Sequence, residues 1–196
     1  WAIAIISMKT QHTLKERVLL DRTLVQLQDG FSILPEDSRN YSRPVQALSE
    51  RERKFLLPRA LLAGLHRFQS TENIQAVSSI VKDTCETEAD RMETELTIVR
   101  YIAWAIPSIG FLGTVRGIGT ALGQAYQAVS GDIVGVTQSL GVAFNSTFVA
   151  LVVSIFLMFL LHQLQLLQDR LVLDCQNYCD ERLIRHMQVP EKGESN

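Results

Sequence analysis

Thirty-six consecutive residues, 133 to 168, contain no Asp, Glu, Lys or Arg, and between Arg100 and Asp132 the only formal charge is Arg116. Within the uncharged stretch, "LGVAFNSTFVALVVSIFLMFLL" exceeds the ~20 apolar residues that carry a helix across a hydrocarbon core. The sequence therefore reads as a membrane protein, with a fully buried soluble helix as the alternative. Other absences narrow the function. No GKS or GKT follows the glycines of "FLGTVRGIGTALG", which excludes a phosphate-binding P-loop. "GIGTALG" lacks the preceding strand and the downstream acid of a dinucleotide fingerprint. No basic patch with interleaved aromatics marks a nucleic-acid surface, and the net charge of −2 points to no charged partner. The three cysteines are Cys85, Cys175 and Cys179. The last two stand four residues apart, so a metal site with His186 is conceivable, but reduced thiols on a helix are the simpler reading. His12 and His66 have no suggestive neighbours, and His162 fits a membrane interface. With no nucleophile–base pair and no ligand set, the sequence gives no reason to expect an enzyme, a cofactor or a metal.

Charge is concentrated elsewhere. From Ser7 to Arg100 there are fourteen Lys/Arg and fourteen Asp/Glu. "LPEDSRNYSRP", residues 34 to 44, reads as a loop, and Pro58 limits any helix around "SERERKFLL". A long helix is expected to start near "STEN", capped by Ser70 or Thr71. Ile74, Val77, Val81, Cys85, Met92, Leu96 and Val99 then recur at helical spacing, weakly only at Glu88. Beyond the uncharged run, Leu164, Leu167, Leu171, Cys175 and Tyr178 continue an amphipathic helix, and "QVPEKGESN" reads as a flexible tail. "WAIAIISMK" reads as the last turns of an earlier transmembrane helix. The expected organisation is thus 1–8, the end of that helix; 9–100, a cytoplasmic helical region; 101–131 and 137–162, transmembrane helices; 132–136, an extracytoplasmic loop; and 163–196, a cytoplasmic helix and tail. Orientation follows from the basic residues, eighteen of nineteen of which flank the two spans, while the loop has only Asp132.

The glycines fall into two GxxxG pairs, Gly113 with Gly117 and Gly119 with Gly123, a spacing that lets helices approach closely. Counted from Gly131, Thr114 lies 17 residues before the turn and Thr147 16 after it. An antiparallel hairpin then sets the two threonines within ~1.5 Å of the same level. One face of the first span reads Pro107, Gly110, Thr114, Gly117, Ala121, and one face of the second reads Ala143, Thr147, Ala150, Ser154. Such small, weakly polar stripes suit a tightly packed or a pore-lining surface. Arg116 stands about 18 Å from the interfacial Trp104 at helical rise, and an unpaired charge there costs at least ~2.5 kcal/mol. It is expected to be buried at a subunit contact, bonded to backbone carbonyls, polar side chains, water or an acid of the earlier helix, or else to lie in a headgroup layer if the hairpin protrudes.

"PSIGFLGTVRGIGTAL", followed after a short loop by "LGVAFNSTFVALVVSIFLMFLL" and preceded by "ADRMETELTIVRYIAWAIP", resembles the MotA/TolQ/ExbB proton-channel family over residues 85 to 170. The resemblance implies an all-α integral membrane protein whose long helices extend into a cytoplasmic bundle, assembled as a homopentamer in the bacterial inner membrane. It further implies a proton-channel subunit of a motor that converts ion flow into mechanical work. The expected partner is an ExbD/TolR/MotB-like single-span protein, in two copies, with a transmembrane aspartate. Thr114 and Thr147 match the family's pore threonines, and Ser154, Ala143 and Gly117 extend that lining. Gly113, Gly119, Gly123, Arg116 and Pro107 are then packing or interface residues. Two departures stand out. Some relatives have a Glu where this chain has Val142, and "VVSIFLMF" lacks a proline common near the end of the second span. A non-conducting oligomeric scaffold is the alternative function.

Overall fold

A computed structural model of the chain describes residues 1–20, 22, 24, 32–131 and 133–189. The expected tail and the loop acid Asp132 lie outside the described residues, apart from Gln188 and Val189. Among those described, the structure is helical, with one isolated bridge between Ile33 and Met187. Six helices are numbered in chain order: α1 Ala2–Leu20, α2 Ser38–Gln46, α3 Leu56–Thr71, α4 Ile74–Gly123, α5 Ala125–Val129 and α6 Val134–Arg182. The chain divides into two units. Unit 1 comprises Trp1–Met8 with Glu95–Leu164, and unit 2 comprises Lys9–Thr94 with Gln165–Asn196.

Unit 2 is built around large side chains. Phe68, Leu61, Leu65 and Leu57 of α3 pack with Val77, Val81 and Cys85 of α4 and with Leu171, Cys175 and Cys179 of α6. The apolar spacing that starts at Ile74 is what buries these α4 positions. Its weak point, Glu88, is buried too, because Arg59 on α3 donates to its carboxylate at 2.6 Å and Arg91 lies 3.5 Å away. Glu16 of α1 is a second buried acid. It accepts the backbone N–H of Leu56 at 3.3 Å and sits 3.2 Å from His12. The three cysteines are buried free thiols, and burial raises them all, Cys85 to about 11 and the other two further.

Two local expectations are corrected. Residues 34–44 do not form a loop. Pro35 opens a 3-10 turn, Pro35–Asp37, where a missing N–H costs nothing, and α2 follows directly. Its polar residues form a solvated face, and Val45 and Ser38 point inward. The start of α4 is capped by Asn73 and not by Ser70 or Thr71. The Asn73 side-chain Oδ1 accepts the N–H groups of Gln75 and Ala76 at 2.8 and 3.2 Å. Ser70 and Thr71 instead end α3, their hydroxyls returned to the Arg67 carbonyl. Glu72, with φ 49°, makes the left-handed break between the two helices.

Unit 1 holds the apolar portions of α4 and α6, the two helices long and apolar enough to cross a membrane. One of its clusters is conventional: Ala2 and Ile6 of α1, Leu96, Val99 and Ala103 of α4, and Leu157, Leu161 and Leu164 of α6. Nearer the turn at Gly131 the large side chains face outward. Phe111, Leu112, Leu122, Phe144, Phe148 and Ile155 are all more than half exposed.

Candidate functional site

The small residues of α4 and α6 meet each other within the one chain. A Cβ added at Gly110 would lie 2.5 Å from the Ala150 methyl, and one at Gly117 would collide with Ala143. At Gly113 the obstacle would be the Ser146 hydroxyl, at 2.7 Å. Only glycine permits this approach, and the approach brings side-chain hydroxyls to the opposite backbone. By contrast, nothing stands within 4 Å of a Cβ at Gly119 or Gly123. The first GxxxG pair thus packs the hairpin, while the second presents a bare helix surface.

Thr114 and Thr147 sit at the level counted from the turn and are hydrogen-bonded to each other. Thr147 Oγ1 also donates to the Gly110 carbonyl at 2.7 Å, and Thr114 Oγ1 lies 3.2 Å from the Ala143 carbonyl. Both residues are half-buried, so their hydroxyls are internally satisfied yet reachable from one side. The carbonyls they touch belong to α-helical turns that supply each one an N–H four residues on. These bonds are additional to the helix and are not required to complete it.

Ser154 does something else. Its buried hydroxyl donates to the Ala103 carbonyl at 2.9 Å. Ala103 is four residues before Pro107, which lies inside α4 and has no N–H to give. An orphaned carbonyl in an apolar setting is destabilising, and Ser154 removes that cost from the facing helix. Sequence reasoning missed this pairing. The signal was there, in a proline within a membrane helix and a lone serine in the facing span, but only the register joins them.

Arg116 is exposed and borders an open groove of about 490 Å³ between α4 and α6. Thr120, Gln124, Gln138, Ser139 and Ser146 make that groove polar, and Val142, the departure from the family's Glu, stands on its edge. The arginine thus borders polar groups of its own chain. No carboxylate is present from Arg100 to Gly131 or from Ile133 to Gln168. Among the described residues no cluster of three His, Cys, Asp or Glu side chains could hold a metal ion.

An all-helical membrane protein with a glycine-packed hairpin, hydroxyls lodged between its helices and no intramembrane acid of its own is the class these features define. Residues 52–177 match the MotA/TolQ/ExbB proton channel family, and the chain belongs to it. No curated protein and no solved structure gave a match.

Proposed function

We propose that the chain is the proton-conducting subunit of a membrane motor, acting with a single-span ExbD/TolR/MotB-like partner that carries a transmembrane aspartate. Five copies would form a ring around two partner helices in the bacterial inner membrane, with both flanks of the hairpin cytoplasmic. The observation that carries this reading is the half-buried Thr114–Thr147 pair in a span without carboxylates. Two hydroxyls that already hold each other and a backbone carbonyl keep lone pairs free to accept from a protonated partner carboxyl or a hydrated proton. They do not titrate themselves, so the protonatable group must come from the partner.

The scaffold reading draws support from the same contacts, since the hydroxyls are satisfied inside one chain and Gly119 and Gly123 leave a bare face for oligomer packing. Reconstitution separates the two. Vesicles holding this chain and its partner should pass protons, and the partner's Asp→Asn variant should not. Assembled oligomers that stay impermeable with every aspartate-bearing partner would support the scaffold.

A further inference from the structure

In unit 2 an open cavity of about 830 Å³ lies among α2, α3 and the start of α4. That volume is in the range of small-molecule sites. Its polar wall includes Arg39 and Arg43 of α2, His66 and Arg67 of α3, and Ser38, and no Asp or Glu lines it. None of these three arginines makes an ion pair among the described residues. Some other arginines of the unit, among them Arg17, Arg22, Arg59 and Arg91, have acidic partners. Three unpaired guanidinium groups around one cavity repel each other, and an anion between them removes that repulsion.

Ser38 gives an independent pointer. It is 2% exposed, and its hydroxyl has no hydrogen-bond partner. A buried hydroxyl left without a partner is costly and calls for an explanation. The two other serines at the cavity are occupied, Ser42 with the Arg39 carbonyl at 2.8 Å and Ser70 with the Arg67 carbonyl at 3.0 Å. Ser38 alone has a hydroxyl without a partner, buried at the wall of the space the arginines surround. Leu62 and Ile80 add an apolar portion to the wall.

We propose that this cavity binds a soluble organic phosphate of about nucleotide size. Arg39, Arg43 and Arg67 take its phosphate oxygens, the Ser38 hydroxyl donates to one of them, and the organic body rests on Leu62 and Ile80. The test uses the full chain in nanodiscs of zwitterionic lipid, which offer no anionic headgroup, with ADP and inorganic pyrophosphate as probes in calorimetry. ADP is expected to bind with a sub-millimolar Kd, and pyrophosphate more weakly because it lacks the organic body. Arg43→Ala and Arg67→Ala should each weaken ADP about tenfold. Ser38→Ala should weaken ADP about threefold while leaving the melting temperature of the unliganded protein unchanged or higher, since it deletes an orphaned hydroxyl. Arg53→Ala, outside the cavity, serves as a control and should bind like wild type. Absence of binding by both probes at millimolar concentration would overturn the proposal, as would ADP binding unchanged in the arginine variants. Pyrophosphate binding as tightly as ADP would overturn the role given to Leu62 and Ile80.

Discussion

In unit 2, Phe68, Leu61, Leu65 and Leu171 are buried and charged groups are paired at the margins; in the turn-side half of unit 1, Gly110, Gly117, Ala143 and Ala150 make the contact while Phe111, Phe144 and Phe148 point out. Stretches of the same two helices, α4 and α6, take part in both arrangements, joined in unit 2 by α3. The difference is one of solvent. Where water surrounds the helices, removing large apolar surface from it drives packing. Where hydrocarbon surrounds them, apolar side chains gain nothing by turning inward, and close backbone approach with hydroxyl–carbonyl bonds holds the helices instead. Ser154 on the Ala103 carbonyl and the close approach of Gly110 to Ala150 are the visible form of that second chemistry.

The sharpest way to break the comparison is to exchange the side-chain sizes. Gly110→Leu should abolish the hairpin, because the Ala150 methyl already lies 2.5 Å from any Cβ there. Gly119→Leu, placed in open space, should leave the isolated subunit folded. In unit 2 the direction reverses, and Phe68→Ala should destabilise by ~3–5 kcal/mol through the cavity it leaves. Detergent-solubilised protein followed by protease resistance and by chemical denaturation reads all three. Tolerance of Leu at position 110 would show that the glycine stripe is not the packing surface.

Next in size is a pH effect confined to unit 2. Burial raises the Glu16 carboxyl from 4.5 to about 7, against the opposing pull of the Leu56 N–H and of Arg59 and Arg91, with Glu88 adding to the rise. The folded state therefore holds this proton more tightly than the unfolded chain does. The resulting stability is complete below about pH 4.5 and is lost as pH rises through about 7. Glu16→Gln should flatten the decline and gain up to ~3 kcal/mol relative to wild type at about pH 8. Melting curves across that range test it, and parallel curves for the two proteins would remove Glu16 as the cause.

Smaller still is the proline–serine pair. Ser154→Ala should cost ~1 kcal/mol by leaving the Ala103 carbonyl unsatisfied. Pro107→Ala in the same chain should restore most of it, since the new N–H completes the helical turn. A double-mutant cycle with no coupling would show that the serine and the proline act independently.

Much of this was legible in the sequence. The α4 face from Val77 to Val99 follows its 3.6-residue spacing, and the level of Thr114 and Thr147 follows from counting to Gly131. The helix over 38–46 was not, because a short, solvated helix has the composition of a loop and only Val45 and Ser38 reveal its inner face. The cap at Asn73 was missed because Ser70, Thr71 and Asn73 are all good caps, and the choice rests on where α3 ends. The bond made by Ser154 was not legible either, because its partner is a backbone carbonyl exposed by a proline 47 residues earlier. Periodicity finds which face is buried, but it does not say what that face touches.

The central claim is that the Thr114–Thr147 pair serves ion flow and is not needed to hold the hairpin. Gly110 and Ala143 carbonyls keep their helical N–H partners when the hydroxyls are removed. Thr114→Val/Thr147→Val preserves side-chain volume and should therefore leave folding and oligomer size unchanged. The direct measurement is partner-dependent proton flux into vesicles holding this double variant, with oligomer size checked in the same preparation. Flux reduced at least about tenfold with the assembly intact is the expected result; full flux would contradict it.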